Sequence, residues 1–173
     1  MPQPEFIRVL IVFNAEDIVN DLGPGSQDPK NPTWVEAAAK YIYVTVKQAN
    51  TVSGSTGAEL NITAHVDDEI RWRETTYSLD DNFAALLYDY ESTSNLISKP
   101  QPSGPAQARL PFSTATSAGD TKYDATQKVQ NSYWSANVTN PGSGSYTFSF
   151  QIIDRDGNLV GYYKWDPFLT ITG

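Results

Sequence analysis

From Tyr146 onward the chain alternates. Tyr146, Phe148, Phe150 and Ile152 are interleaved with Thr147, Ser149 and Gln151, the run Asp154-Arg-Asp-Gly-Asn158 follows, and Gly161-Tyr-Tyr-Lys-Trp-Asp-Pro-Phe168 comes after it. A period of two sends one row of side chains to each face of a strand, and an Asp-Gly step between two such rows is a strong hairpin signal. The pattern therefore demands a sheet with an aromatic-aliphatic inner face, and it predicts a core row from Tyr146 to Ile152.

Other segments carry the same signature. Leu60, Ile62, Ala64 and Val66 alternate with Asn61, Thr63 and His65, and Ile42, Val44 and Val46 alternate with Tyr43, Thr45 and Lys47. Phe6 to Phe13 is nearly all apolar, which predicts a central strand covered on both faces. Ile70 to Thr75, Phe83 to Tyr90, Tyr133 to Val138, Leu159 to Tyr163 and Phe168 to Thr172 complete about nine extended segments. Helix signals are confined to Asn14-Ala-Glu-Asp17 and Thr33-Trp-Val-Glu36, each fit for a turn or two. Prolines mark two long loops, residues 20–33 and 92–122. The expectation is all-β: a single-domain antiparallel β-sandwich of 173 residues with short helical turns.

Composition narrows the chemistry. With no cysteine, thiolate metal sites, disulfides and thiol nucleophiles are excluded. A formal charge of -8 repels phosphate backbones and anionic lipid, and no basic cluster in the sequence exceeds Arg71 and Arg73, so neither nucleic acid nor membrane is an expected partner. The N-terminal residues lack a secretory pattern, so the expected location is the cytoplasm.

A family resemblance rests on the order of several motifs. Asp68-Glu-Ile-Arg-Trp-Arg-Glu-Thr75, Ser78-Leu-Asp80, Tyr133-Trp-Ser-Ala136, Tyr146-Thr-Phe-Ser-Phe-Gln-Ile-Ile-Asp154 and Gly161-Tyr-Tyr-Lys-Trp-Asp-Pro-Phe168 resemble the bacterial AidA/PixA inclusion-body protein family, as does the opening strand leading into Asn14-Ala-Glu-Asp-Ile-Val19. The resemblance implies a quorum- or stationary-phase-linked protein, in some members accumulating as inclusions, with no catalytic motif to carry over. Asn14 stands where the family pattern leads one to expect Asp, which argues against a metal ligand there.

Candidate site residues are few. The lone histidine, His65, lies on the polar face of its strand and reads as an ordinary surface histidine, so no Ser-His-Asp arrangement is expected. Gly54-Ser-Thr-Gly57 is a turn between strands rather than a phosphate loop. Adjacent acids such as Asp67 and Asp68 point to opposite faces and cannot share one glycosidic bond. Asp154, Asp156 and Asn158 offer oxygens at alternate positions, which leaves calcium as an alternative to a plain hairpin turn, and Asp80, Asp81 and Asn82 repeat that ambiguity. In Ile70-Arg-Trp-Arg73 alternation assigns Trp72 to the core and aims Arg71 and Arg73 outward, to pair with carboxylates such as Glu74 or an Asp on the neighbouring strand, or to grip a carboxylate or sugar acid. Tyr162, Tyr163 and Trp165 are the expected contact aromatics, for a sugar ring or a protein partner. The expected function is non-enzymatic self-association, with glycan binding, aided or not by calcium, as the alternative and no cofactor required.

Overall fold

The computed structural model describes residues 3–52, 57–122 and 125–172. Most of the glycine-flanked segment 54–57 lies outside them. In chain order the elements are β1 (Phe6–Phe13), α1 (Ala15–Leu22), β2 (Thr33–Trp34), α2 (Ala38–Tyr41), β3 (Ile42–Val46), β4 (Leu60–Thr63), β5 (Glu69–Thr76), β6 (Phe83–Glu91), β7 (Gln101–Phe112), β8 (Ala125–Asn137), β9 (Gly142–Ser145), β10 (Thr147–Asp154), β11 (Leu159–Trp165) and β12 (Phe168–Thr172). They form a five-stranded sheet β3-β1-β5-β8-β7, a four-stranded sheet β2-β11-β10-β6 and a three-stranded sheet β4-β12-β9. The fold is all-β with short helical pieces, as the alternation requires.

The two larger sheets meet through aromatic rings. Phe13 of β1 lies 4.4 Å from Phe150 of β10, and Phe148 has the rings of Trp72, Tyr90, Trp134, Tyr146 and Trp165 between 5.3 and 6.0 Å away. Tyr146, Phe148, Phe150 and Ile152 are all buried, so the inner row is the one alternation selects. The β10–β11 hairpin closes at Asp154–Asn158, where Gly157 has φ +85°. The first helical expectation is met by α1, which spans two turns and is capped by Asn14: the Asp17 N–H donates to Asn14 Oδ1, while Asn14 Nδ2 donates to the Asp17 carboxylate.

The structure corrects four expectations. Pairing is mixed rather than wholly antiparallel: β1 with β5, β2 with β11 and β4 with β12 run parallel. Parallel neighbours need long crossovers, which the chain supplies by passing from one sheet to the other between paired strands. Strand β1 is central but covered on one face only. Ile7, Val9, Ile11 and Phe13 are buried, whereas Phe6 is 52% and Leu10 42% exposed. Thr33 and Trp34 extend as β2 beside β11 instead of opening a helix, and the helical turn comes at α2. Residues 92–122 are not one loop, because Gln101–Phe112 form the long strand β7. Prolines mislead there because β7 is an edge strand, where a missing N–H costs no ladder bond. Gly104, at φ +106°, absorbs the register shift between Ser103 and Ala106.

The other proline-rich segment is fixed against β11. Ser26 accepts from the Tyr162 N–H, Tyr163 Oη donates to the Gly23 carbonyl, and Gly25 packs so tightly on Gly161 that a Cβ there would stand 2.4 Å from the Gly25 Cα. Residues 23–35 thus cover what would otherwise be an open sheet edge.

Candidate functional site

The outward face of the five-stranded sheet carries a groove of about 430 Å³. Its walls include Arg8 and Leu10 of β1, Thr45 of β3, Arg71 and Arg73 of β5, and Asn131 and Tyr133 of β8, with no carboxylate among the lining residues. Three of the chain's five arginines converge here, in a protein of net charge -8. The register explains why. Arg8 lies directly opposite Arg71, and Leu10 opposite Arg73, across the parallel β1–β5 pair. Because residues two apart share a face, the four side chains form a compact square.

The three guanidiniums are held differently. Arg71 donates from Nε to Glu69 Oε1 at 2.7 Å and from a terminal nitrogen to Oε2 at 3.1 Å. Its guanidinium carbon lies 3.8 Å from the Phe6 ring centroid and 5.0 Å from that of Tyr133. The Glu69 hydrogen bonds raise its pKa further above an already high value. Arg71 is thus immobilised by two hydrogen bonds and two rings. Among the described residues, no carboxylate comes within 4.0 Å of Arg8 or Arg73. Glu69 offsets the charge of Arg71, so the like charges of Arg8 and Arg71, opposite one another in the sheet, are in part compensated.

A second exposed feature adjoins the groove. Beyond Asn131 the β7–β8 ribbon makes its principal contacts within itself. Ala108 pairs with Val129, Leu110 with Gln127 and Phe112 with Ala125, which sets Ala108, Leu110, Phe112 and Val129 on one side. Gln107, Arg109, Lys128 and Gln130 fall on the other. Leu110 is 45% and Phe112 43% exposed. Val129, Asn131 and Tyr133 follow one another at period two, so the apolar side of the ribbon continues into the groove.

The expected site residues divide. Arg71 and Arg73 are in the groove, but Arg71 pairs with Glu69 rather than Glu74, since alternation turns Glu74 to the opposite face. Sequence reading missed Arg8 because a strand taken as covered on both faces leaves an arginine no exit. Tyr163 and Trp165 are core residues with no exposure, so they cannot serve as surface contacts; only Tyr162 of that trio reaches the outer face, where its ring meets Tyr88 at 5.2 Å. Gly161, Tyr163 and Trp165 share the inward phase of β11, which explains the correction. In the hairpin turn the Asp154 carboxylate accepts from the N–H groups of Asp156 and Asn158 and from Asn158 Nδ2, and these bonds hold its pKa below the usual range. Its oxygens serve the turn, and the described residues contain no group of three or more metal-ligating His, Cys, Asp or Glu side chains. At the other acidic cluster, Asp80 accepts from Thr76 Oγ1 in a turn where Leu79 and Asp80 both have positive φ. His65 is exposed at its ring, while buried Asp68 accepts from the N–H groups of Glu5 and His65. Glu74, largely buried between β5 and β6, has its carboxyl pushed up to about 7, chiefly by desolvation.

Comparison with known proteins decides the lineage. The sequence pattern of the PixA inclusion body protein family matches residues 5–171. The chain belongs to that family. A crystal structure of a PixA inclusion body protein from Burkholderia cenocepacia shares the fold, with a TM-score of 0.75 at 18% identity over 99% of this chain and 98% of that one. No curated protein matches the chain. Among the described residues, no helix is long and apolar enough to cross a membrane.

Proposed function

We propose that this PixA-family chain is a non-enzymatic, cytoplasmic protein that folds as one domain and self-associates without metal or cofactor, using the apolar side of the β7–β8 ribbon. The observation that carries the reading is the exposure of Leu110 and Phe112 on a ribbon whose principal contacts beyond Asn131 are within itself. A two-stranded ribbon is marginal in water, and a second copy would cover its apolar row. Of the three aromatics that the glycan alternative draws on, Tyr163 and Trp165 lie in the core and only Tyr162 is left for a sugar ring. Sedimentation velocity from micromolar to submillimolar concentration tests the proposal. The wild-type mass should rise with concentration, and the doubly substituted Leu110→Ser, Phe112→Ser chain should stay monomeric with an unchanged circular dichroism spectrum. A monomer at every concentration, or a double variant that assembles as the wild type does, refutes it.

A further inference from the structure

We infer that the groove on the five-stranded sheet is a binding site for a small amphiphilic carboxylate, an organic acid whose charged end meets Arg8 and Arg73 and whose hydrocarbon body lies on Leu10 and Tyr133. The inference does not depend on self-association. Three features converge on that ligand class.

The first is unspent donor capacity. Arg71 is committed to Glu69, but Arg8 and Arg73 stand in register with Arg71 and Leu10 without a carboxylate within 4.0 Å among the described residues. A planar carboxylate matches the guanidinium fork and would give Arg8 and Arg73 the counter-charge that Glu69 gives Arg71. The second is an apolar wall. Leu10 is 42% exposed beside the arginines, and the Tyr133 ring, fixed against Arg71, faces the same space. Simple anions make no use of such a wall, whereas an acid with an alkyl or aryl body buries it. The third is size and field. About 430 Å³ suits a small molecule, and a net charge of -8 repels polyanions far more than a singly charged acid.

Isothermal titration calorimetry at low salt tests this with decanoate and 4-phenylbutyrate as probes, 4-phenylbutyramide as the uncharged shape control, and inorganic phosphate as the anion without a body. Saturable one-site binding of at least one acid is expected, with no saturable binding of the amide and none of phosphate. Arg8→Ala and Arg73→Ala should each weaken the acid about tenfold or more, as loss of a charge-assisted contact implies. Arg155→Ala, in the exposed β10–β11 turn, should leave binding unchanged. The proposal is overturned if neither acid binds, if the amide or phosphate binds as well as the acids, or if Arg155→Ala weakens binding as much as Arg8→Ala. Loss of self-association in Arg8→Ala without any acid binding would assign the groove to a second copy and overturn it equally.

Discussion

Glu74 makes the stability of this fold depend on pH in an unusual direction. Its carboxyl rises from an ordinary 4.5 to about 7, mainly because burial between β5 and β6 disfavours the charge, with the backbone N–H of Leu87 opposing the rise. Between those values the folded chain holds a proton that the unfolded chain releases. The group's contribution is therefore complete below pH 4.5 and is lost as pH climbs through 7. At 1.36 kcal/mol per pH unit, the loss amounts to about 3 kcal/mol. Glu74→Gln keeps an acceptor oxygen for Leu87 and cannot ionise. It should match the wild type closely at pH 5 and exceed it by about 3 kcal/mol at pH 8, roughly 6–12 °C in Tm for a chain of this length. Urea titrations of both proteins at each pH unit from 5 to 8 measure the difference directly. The carboxylates with lowered values, Asp21, Asp28 and Asp154, titrate below this window and do not blur it. A difference that stays flat across the range, or favours the wild type at pH 8, would show that Glu74 is solvated in the folded state.

Two further substitutions test the packing. Phe148→Ala removes the ring around which Trp72, Tyr90, Trp134, Tyr146 and Trp165 gather, and should cost about 3–5 kcal/mol in urea denaturation. Gly161→Ala drives a methyl group into Gly25, so a loss of about 1–3 kcal/mol is expected, with faster proteolysis within residues 23–35 as the local readout.

The parts of this fold that a reader of the sequence can see are those set by local alternation. Tyr146 to Ile152 and the Asp-Gly turn need only their neighbours to define them, and they stand as the pattern requires. Strand β7 was hidden because Pro102, Pro105 and Pro111 are informative only once the strand's place at an edge is known, and that place depends on pairing with β8. The groove was half visible for the same reason. Alternation shows that Arg71 and Arg73 point outward, but only the parallel register of β1 and β5, a long-range fact, sets Arg8 beside them. Tyr163 and Trp165 lie beyond such a reading, because the number of aromatic residues says how many rings there are and not which phase of the strand faces inward.

The parallel pairing of β12 with β4 sets an order of events during synthesis. Thr63 and Thr172, whose hydroxyls meet at 3.2 Å, are 109 positions apart, and β9 also finds its partner in β12. Until synthesis has passed residue 172, the backbone groups of β4 and β9 that belong to this sheet have no strand between them. Such long-range closure is slow, and open strand edges are templates for other chains. During synthesis β4 and β9 therefore present unpaired backbone edges to other chains until β12 inserts between them.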